Sequence, residues 1–471
     1  MGYMTKTRKR IVRWTLIVLG SLIVLVALFY GEENWRGKRA WENCKRELEA
    51  RGAVLDWSKF IPPPVPDDQN VFKAPKMTEW FVRQKGQSTT ELYAHLKYTN
   101  ALPTPLAELT TQKATVFLLW SAQSESDFDL IREALKRPYA RMDGDYERAF
   151  VSIGQNFVSL RSLAQVLAER AKCYLLLGQP EKAFRELTLL HDLTRLLEGK
   201  PIYLVTAMIS VAITGLYVDT IADGFRLHAW REPELVSIQK QLQRIDLLPL
   251  AAEAFQSERA GIRHILETYT ASEIEDLFSS VDPKPNFRQR LKDPKYLLFT
   301  FAPRGWVYQN ITAMCILEQK AIDSVGDTNQ ILFPRKTAEQ KRELLAVGAH
   351  PSPYNFLAAT AVPLFFKAAQ TIGRNQTAVN EALVACALER YHLAHSEYPE
   401  TLDALTFQFI EKLPHDIIGG DPLHYRRTED GKFLLYSVGW NETDDGGQVV
   451  LNKDGAEDRE KGDWVWQYPI K

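Results

Sequence analysis

The loop between Gly439 and Trp464 is rich in Asn, Asp and Gly and includes Asp444-Asp445-Gly446-Gly447. Calcium takes about six to eight oxygen ligands, and clustered Asp and Asn side chains with carbonyls freed by glycine supply such a shell. The same residue types also make an acidic, solvated hairpin loop closed by Asx turns. A full EF-hand pattern is absent.

Other groups with chemical potential are scattered. His392 and His395 lie three apart, with His415 and His424 further on. Two histidines at helical spacing can bind zinc, but the sequence supplies no third ligand at a defined distance. An imidazole near a helix C-terminus also interacts well with the helix dipole. Glu258-Arg259 sets an acid beside a cation. With no nucleophile, second acid or glycine loop beside it, the pair reads as a helix-surface or interhelical ion pair. Gly-x-Ser-x-Gly, a phosphate loop, His-Glu-x-x-His and Gly-x-Gly-x-x-Gly are all missing, so no catalytic residue is assigned. Cys44, Cys173, Cys315 and Cys386 form no metal knuckle or Cys-x-x-Cys, and each sits in an apolar helical pattern as a small hydrophobe.

These groups need elements to hold them. The 471 residues can fill two or three domains, and a net charge of −1 gives no basic field for nucleic acid. Residues 1–10 form a basic cytoplasmic tail. Residues 11–30, flanked by Lys6, Arg8, Lys9, Arg10 and Arg13, are long and apolar enough for a transmembrane helix. The basic side stays in the cytoplasm and Glu32-Glu33 lies outside. The exit lacks an Ala-x-Ala ending, so an uncleaved anchor is expected over a cleaved signal peptide.

Residues 31–61 hold a juxtamembrane helix with Trp41, Cys44 and Leu48 on one face and Gly52 at its end. Residues 62–109 open on Pro62-Pro63-Pro64-Val65-Pro66 and are expected to be an extended, proline-containing linker laid along the helical body. Residues 110–345 read as all-helical. Their clearest unit spans 163–197, two helices broken at Gly178-Gln179-Pro180, with a tetratricopeptide-like pattern in Ala171, Leu177-Gly178, Ala183 and Phe184. The uncharged stretch 202–218 is expected at the buried centre of this domain, with a second membrane span as the alternative.

Residues 353–471 read as one long helix packed on a small antiparallel β-meander. Pro363 sits near its start, and the helix stops before Pro399. Strands are expected at 423–427 and 433–438 around an Asp430-Gly431 turn, with weaker ones at 448–451 and 464–468. The fold class is mainly α with a C-terminal α+β module.

This C-terminal third resembles the major pseudopilin of type II secretion systems (protein G-like). The likeness rests on Ala361-Val362-Pro363, Ala387-Leu388-Glu389-Arg390-Tyr391, Tyr398-Pro399, Asp421-Pro422-Leu423, Tyr436-Ser437-Val438-Gly439 and Asp444-Asp445-Gly446-Gly447. In that family a calcium ion pins the loop. The resemblance implies Ca2+ as cofactor and Asn441, Asp444, Asp445 and Asp463 as its ligands. Glu457, Asp458 and Glu460 lengthen the loop here. The family's helix starts at a mature N-terminus, whereas this one is internal, and 356–366 is too short to span a bilayer. The helix is therefore expected to dock on the helical domain instead of building a filament.

The spacer and helical region also resemble uncharacterised membrane-anchored proteins of planctomycete and verrucomicrobial bacteria. The expectation is a single-pass protein of the cytoplasmic membrane with its bulk in the periplasm. It would bind protein partners linked to secretion machinery. The alternative is a cell-envelope enzyme with its site in the helical domain.

Overall fold

The structure, a computed structural model, describes residues 6–82, 109–150, 156–199, 202–270, 273, 292, 301–325, 330–350, 352–361, 363–453 and 455–466. The chain is mainly helical, with a long apolar N-terminal helix and a small antiparallel sheet near the C-terminus. It divides into two compact units. One comprises Met1–Asp56, Arg259–Gln319 and Arg342–Pro363; the other comprises Trp57–Glu258, Lys320–Lys341 and Leu364–Lys471. The expected boundaries 110–345 and 353–471 do not coincide with this division. Helices far apart in sequence share a core, and composition along the chain carries no mark of that.

The first unit is built around α1 (Lys6–Ala50), 45 residues without a break. Its apolar stretch is wholly exposed, long enough and apolar enough to cross a membrane. The expected membrane-crossing and juxtamembrane helices are thus one element. Past Gly31, α1 buries Glu33, Trp41, Cys44 and Leu48. The Trp41 indole donates to Glu267 at 2.6 Å, and Arg263 reaches the Leu55 carbonyl at 2.8 Å. Gly37 meets Gly305 so closely that a Cβ on either would run into backbone. Bare glycine surfaces let two helix backbones approach in this way.

In the second unit, residues 62–66 are neither helix nor strand and Pro66 is extended, but the linker ends there. Short 3-10 turns at Asp67–Gln69 and Val71–Lys73 lead into α2 (Pro75–Phe81). Met77, Trp80 and Phe81 are buried in the main core, because each aromatic outweighs the extended preference set by the prolines upstream. Residues 83–108 of the expected linker lie outside the described residues.

Next come α3 (Thr111–Ser121), α4 (Glu125–Ala134), α5 (Phe157–Leu176) and α6 (Pro180–Asp192). Gly178 takes the left-handed conformation (φ 69°) between the last two, and Pro180 opens α6. The stretch expected at the centre becomes α7 (Leu204–Arg226). Its Ile213, Tyr217, Val218, Ile221 and Phe225 belong to the main core. Then comes α8 (Glu232–Leu242). Next, α9 (Leu247–Thr268), α10 (Arg304–Val325) and α11 (Pro334–Ala349) each have residues in both units, and α12 (Phe356–Ala361) belongs to the first.

Helix is expected from residue 353; α12 (Phe356–Ala361) and α13 (Pro363–His395) lie either side of Val362, which is outside the described residues. Val379, Leu383, Leu388 and, from the sheet, Leu435 join the same core as Leu163, Leu187 and Tyr217. β1 (His424–Arg427) and β2 (Phe433–Ser437) pair antiparallel, with His424 opposite Tyr436 and Arg427 opposite Phe433. β2 also pairs with β5 (Trp464–Val465). Gln467 and Tyr468 of the expected last strand lie outside the described residues. The charged insertion expected as loop instead forms β4 (Glu457–Gly462), a ribbon with β3 (Val449–Leu451). Its outer face is solvated, so backbone pairing holds it with no apolar alternation to reveal it.

Candidate functional site

The four expected calcium ligands all lie around one loop. Asp463, at the end of β4, is 1% exposed. Its carboxylate accepts the N–H groups of Asp445 (3.1 Å) and Gly447 (2.6 Å). Asp445 in turn accepts Asn441 Nδ2 at 2.9 Å. Asp444 accepts the Tyr436 hydroxyl and the Gly446 N–H, both at 2.9 Å, and those donors hold its carboxyl below the usual range. Among the described residues no group of three or more His, Cys, Asp or Glu side chains is placed to hold a metal ion. Asp463 faces hydrogens, and the backbone donors pin the loop from inside.

The remaining residues of the C-terminal pattern hold the module together. Tyr398 donates to buried Glu389 at 2.6 Å. Arg390 binds Gln239 at 2.7 Å and the Phe409 carbonyl at 2.8 Å. Tyr425 closes on the Pro399 carbonyl at 2.6 Å. Asp416, 2% exposed, accepts Ser437 Oγ at 2.8 Å and the N–H groups of Ile418 and Val438. Gly439 (φ 67°) passes the Gly462 carbonyl where a Cβ would stand only 2.6 Å from that oxygen.

The histidines do not assemble. His395 stacks on Tyr391 with centroids 4.1 Å apart, His392 on Tyr398 at 4.6 Å and His424 on Tyr436 at 4.9 Å. The Glu258-Arg259 pair is split between the two units. Glu258 accepts the Leu204 N–H at 3.0 Å, and Arg259 donates to Gln319 at 2.5 Å. Burial pushes the Glu258 carboxyl up to about 7, against the pull of the Leu204 N–H.

Two buried charge networks escaped the sequence. Arg170, 1% exposed, donates to Ser121 at 2.8 Å and to Glu186 at 3.1 Å, and pairs with Glu125. Arg374 binds Glu457 at 3.1 Å, lies 3.9 Å from Glu381 and sits over the Trp464 ring. Burial drives the Glu381 carboxyl well above its ordinary value, with Arg374 opposing. Arg374 and Glu381 are seven apart, two turns along one face of α13, and that spacing was the available signal. Glu125, Glu186 and Glu457 come from other elements and gave none.

Compared with known families, curated proteins and solved structures, the chain matches none.

Proposed function

We propose that this chain is a single-pass, membrane-anchored protein of the cell envelope, with its N-terminus in the cytoplasm and its bulk in the periplasm. In this reading the tetratricopeptide-like helices and the pseudopilin-like module bind other proteins in connection with secretion machinery. One observation carries it. The apolar stretch of α1 is entirely exposed, bounded by Arg10 and Arg13 on one side and Glu32 on the other. Basic residues favour the cytoplasmic side. Supporting it, the ionisable pairs singled out by spacing and motif have structural partners: Asp463 with amides, Glu389 with Tyr398, Arg390 with Gln239.

Protease added to spheroplasts that express the full chain tests the orientation. Degradation of everything but a protected N-terminal fragment supports it. A chain that resists until the membrane is opened overturns it.

An envelope enzyme is the second reading, favoured by Glu258, an acid held near neutrality where proton transfer is efficient. It ranks lower because the Leu204 N–H already occupies that carboxylate.

A further inference from the structure

Phe407 is 94% exposed and adopts a left-handed backbone with φ 68°. Both features are unfavourable for an aromatic residue: the first leaves a large apolar surface in water, the second is a sparsely populated conformation for a side chain with a Cβ. Strain of this kind persists only where surrounding structure imposes it, and it concentrates at clamps and binding sites.

The surroundings do impose it. The Phe407 N–H donates to the Ile410 carbonyl at 2.8 Å, while Phe409 and Ile410 both donate to Leu405. Leu405, Phe409 and Ile410 are buried beneath the loop. Arg390 and Gln239 both grip the Phe409 carbonyl, at 2.8 and 3.1 Å. The ring is thus held outward on a fixed base. A preorganised aromatic loses little freedom on binding, the property that makes such residues interface anchors.

The same unit carries a groove suited to such a ring. Ile61, Pro62, Pro63 and Val65 form one wall, and Pro138–Arg141 faces them, enclosing about 370 Å³. Tyr139 at its edge is 46% exposed. Lys59, Arg141 and Arg195 line the groove with one acid, Glu198. Around Phe407 the balance is reversed, since Asp403 and Glu411 are exposed with one base, Lys412. The two surfaces therefore carry charge of opposite sign.

We propose that Phe407 anchors a contact between two copies of this chain, seated in the proline-walled groove of the neighbour. Knob and groove are different surfaces, so the contact is head-to-tail. It leaves a free knob at one end and a free groove at the other. This goes beyond the envelope reading and does not depend on membrane orientation.

Sedimentation of the full chain in detergent micelles across a concentration series tests it. Phe407→Ser should raise the dissociation constant by about thirty-fold, as loss of a central anchor does. Val65→Glu, which sets a like charge against the acidic flank of the knob, should do the same. Circular dichroism checks that both variants stay folded. The decisive sample is their mixture. One variant keeps its groove and the other its knob, so the pair should form a heterodimer that cannot grow. A wild-type chain that stays monomeric overturns the proposal. So does association that survives both substitutions, or a mixture that stays monomeric while the wild type associates.

Discussion

The Trp306 indole donates to the Glu33 carboxylate at 2.9 Å across 273 positions of sequence. Glu33 is 5% exposed and also takes Arg36 at 2.6 Å. Just beyond the apolar stretch of α1, a buried charge therefore ties that helix to the start of α10. Trp306→Phe keeps most of the ring but removes the donor. The loss should cost about 1–3 kcal/mol, the penalty of leaving a buried acceptor short of a partner. Thermal unfolding of the detergent-solubilised chain would show it as a lower Tm.

The Gly37–Gly305 crossing gives a second prediction. Gly37→Val forces the two backbones apart and should destabilise by about 1–3 kcal/mol, as overpacking does. Gly20→Val is the matched control, because nothing lies within 4 Å of a Cβ there. Equal melting temperatures for the two variants would contradict the packing described.

The Arg170 network gives a third. Arg170→Met leaves Glu186 buried with only Arg132, at 3.0 Å, as its remaining cation. Breaking a buried pair from one side costs about 3–5 kcal/mol. Arg170→Met combined with Glu186→Leu should recover part of the loss, since the stranded charge leaves too. Chemical denaturation of the three proteins measures the difference, and a double variant no better than the single would argue against a stranded charge.

Glu258 sets a pH dependence. Its carboxyl is raised from 4.5 to about 7 in the folded chain. The folded state therefore binds the proton more tightly than the unfolded state. The contribution is fully present below pH 4.5 and is lost as pH rises to about 7. Glu258→Gln, whose carbonyl can still accept the Leu204 N–H, should flatten this part of the Tm-versus-pH curve and raise Tm above pH 7. An unchanged slope would mean that another group titrates there.

The loop at Asp463 predicts a response to chelation. With backbone N–H groups on the carboxylate, EGTA should leave the Tm where it is with calcium. Asp463→Ala should lower it equally in both. A calcium-dependent rise in Tm that Asp463→Ala abolishes would restore the ion to the loop.

Much of the layout is visible in the residues because local rules govern it. Gly178 and Pro180 punctuate α5 and α6, Asp430-Gly431 turns β1 into β2, and the apolar run in α1 is long enough to cross a membrane. What stays hidden depends on neighbours distant in sequence. Trp80 and Phe81 look like part of a proline spacer until a core receives them. The β4 strand has no apolar face to alternate. The loop residues could be read as oxygen ligands because Asp and Asn serve equally well as Asx-turn formers. That the Asp445 and Gly447 amides turn onto Asp463 is a backbone property absent from side-chain pattern.

The unbroken run of α1 has a mechanical consequence. At 1.5 Å per residue, its 45 residues extend about 68 Å, against about 30 Å for a bilayer core. No swivel separates the exposed apolar half from the half clamped at Glu33, Gly37 and Trp41. Bilayer thickness sets helix tilt through hydrophobic mismatch. With the apolar half in a bilayer, as proposed above, thinning or thickening the lipid would re-aim the first unit as a rigid lever.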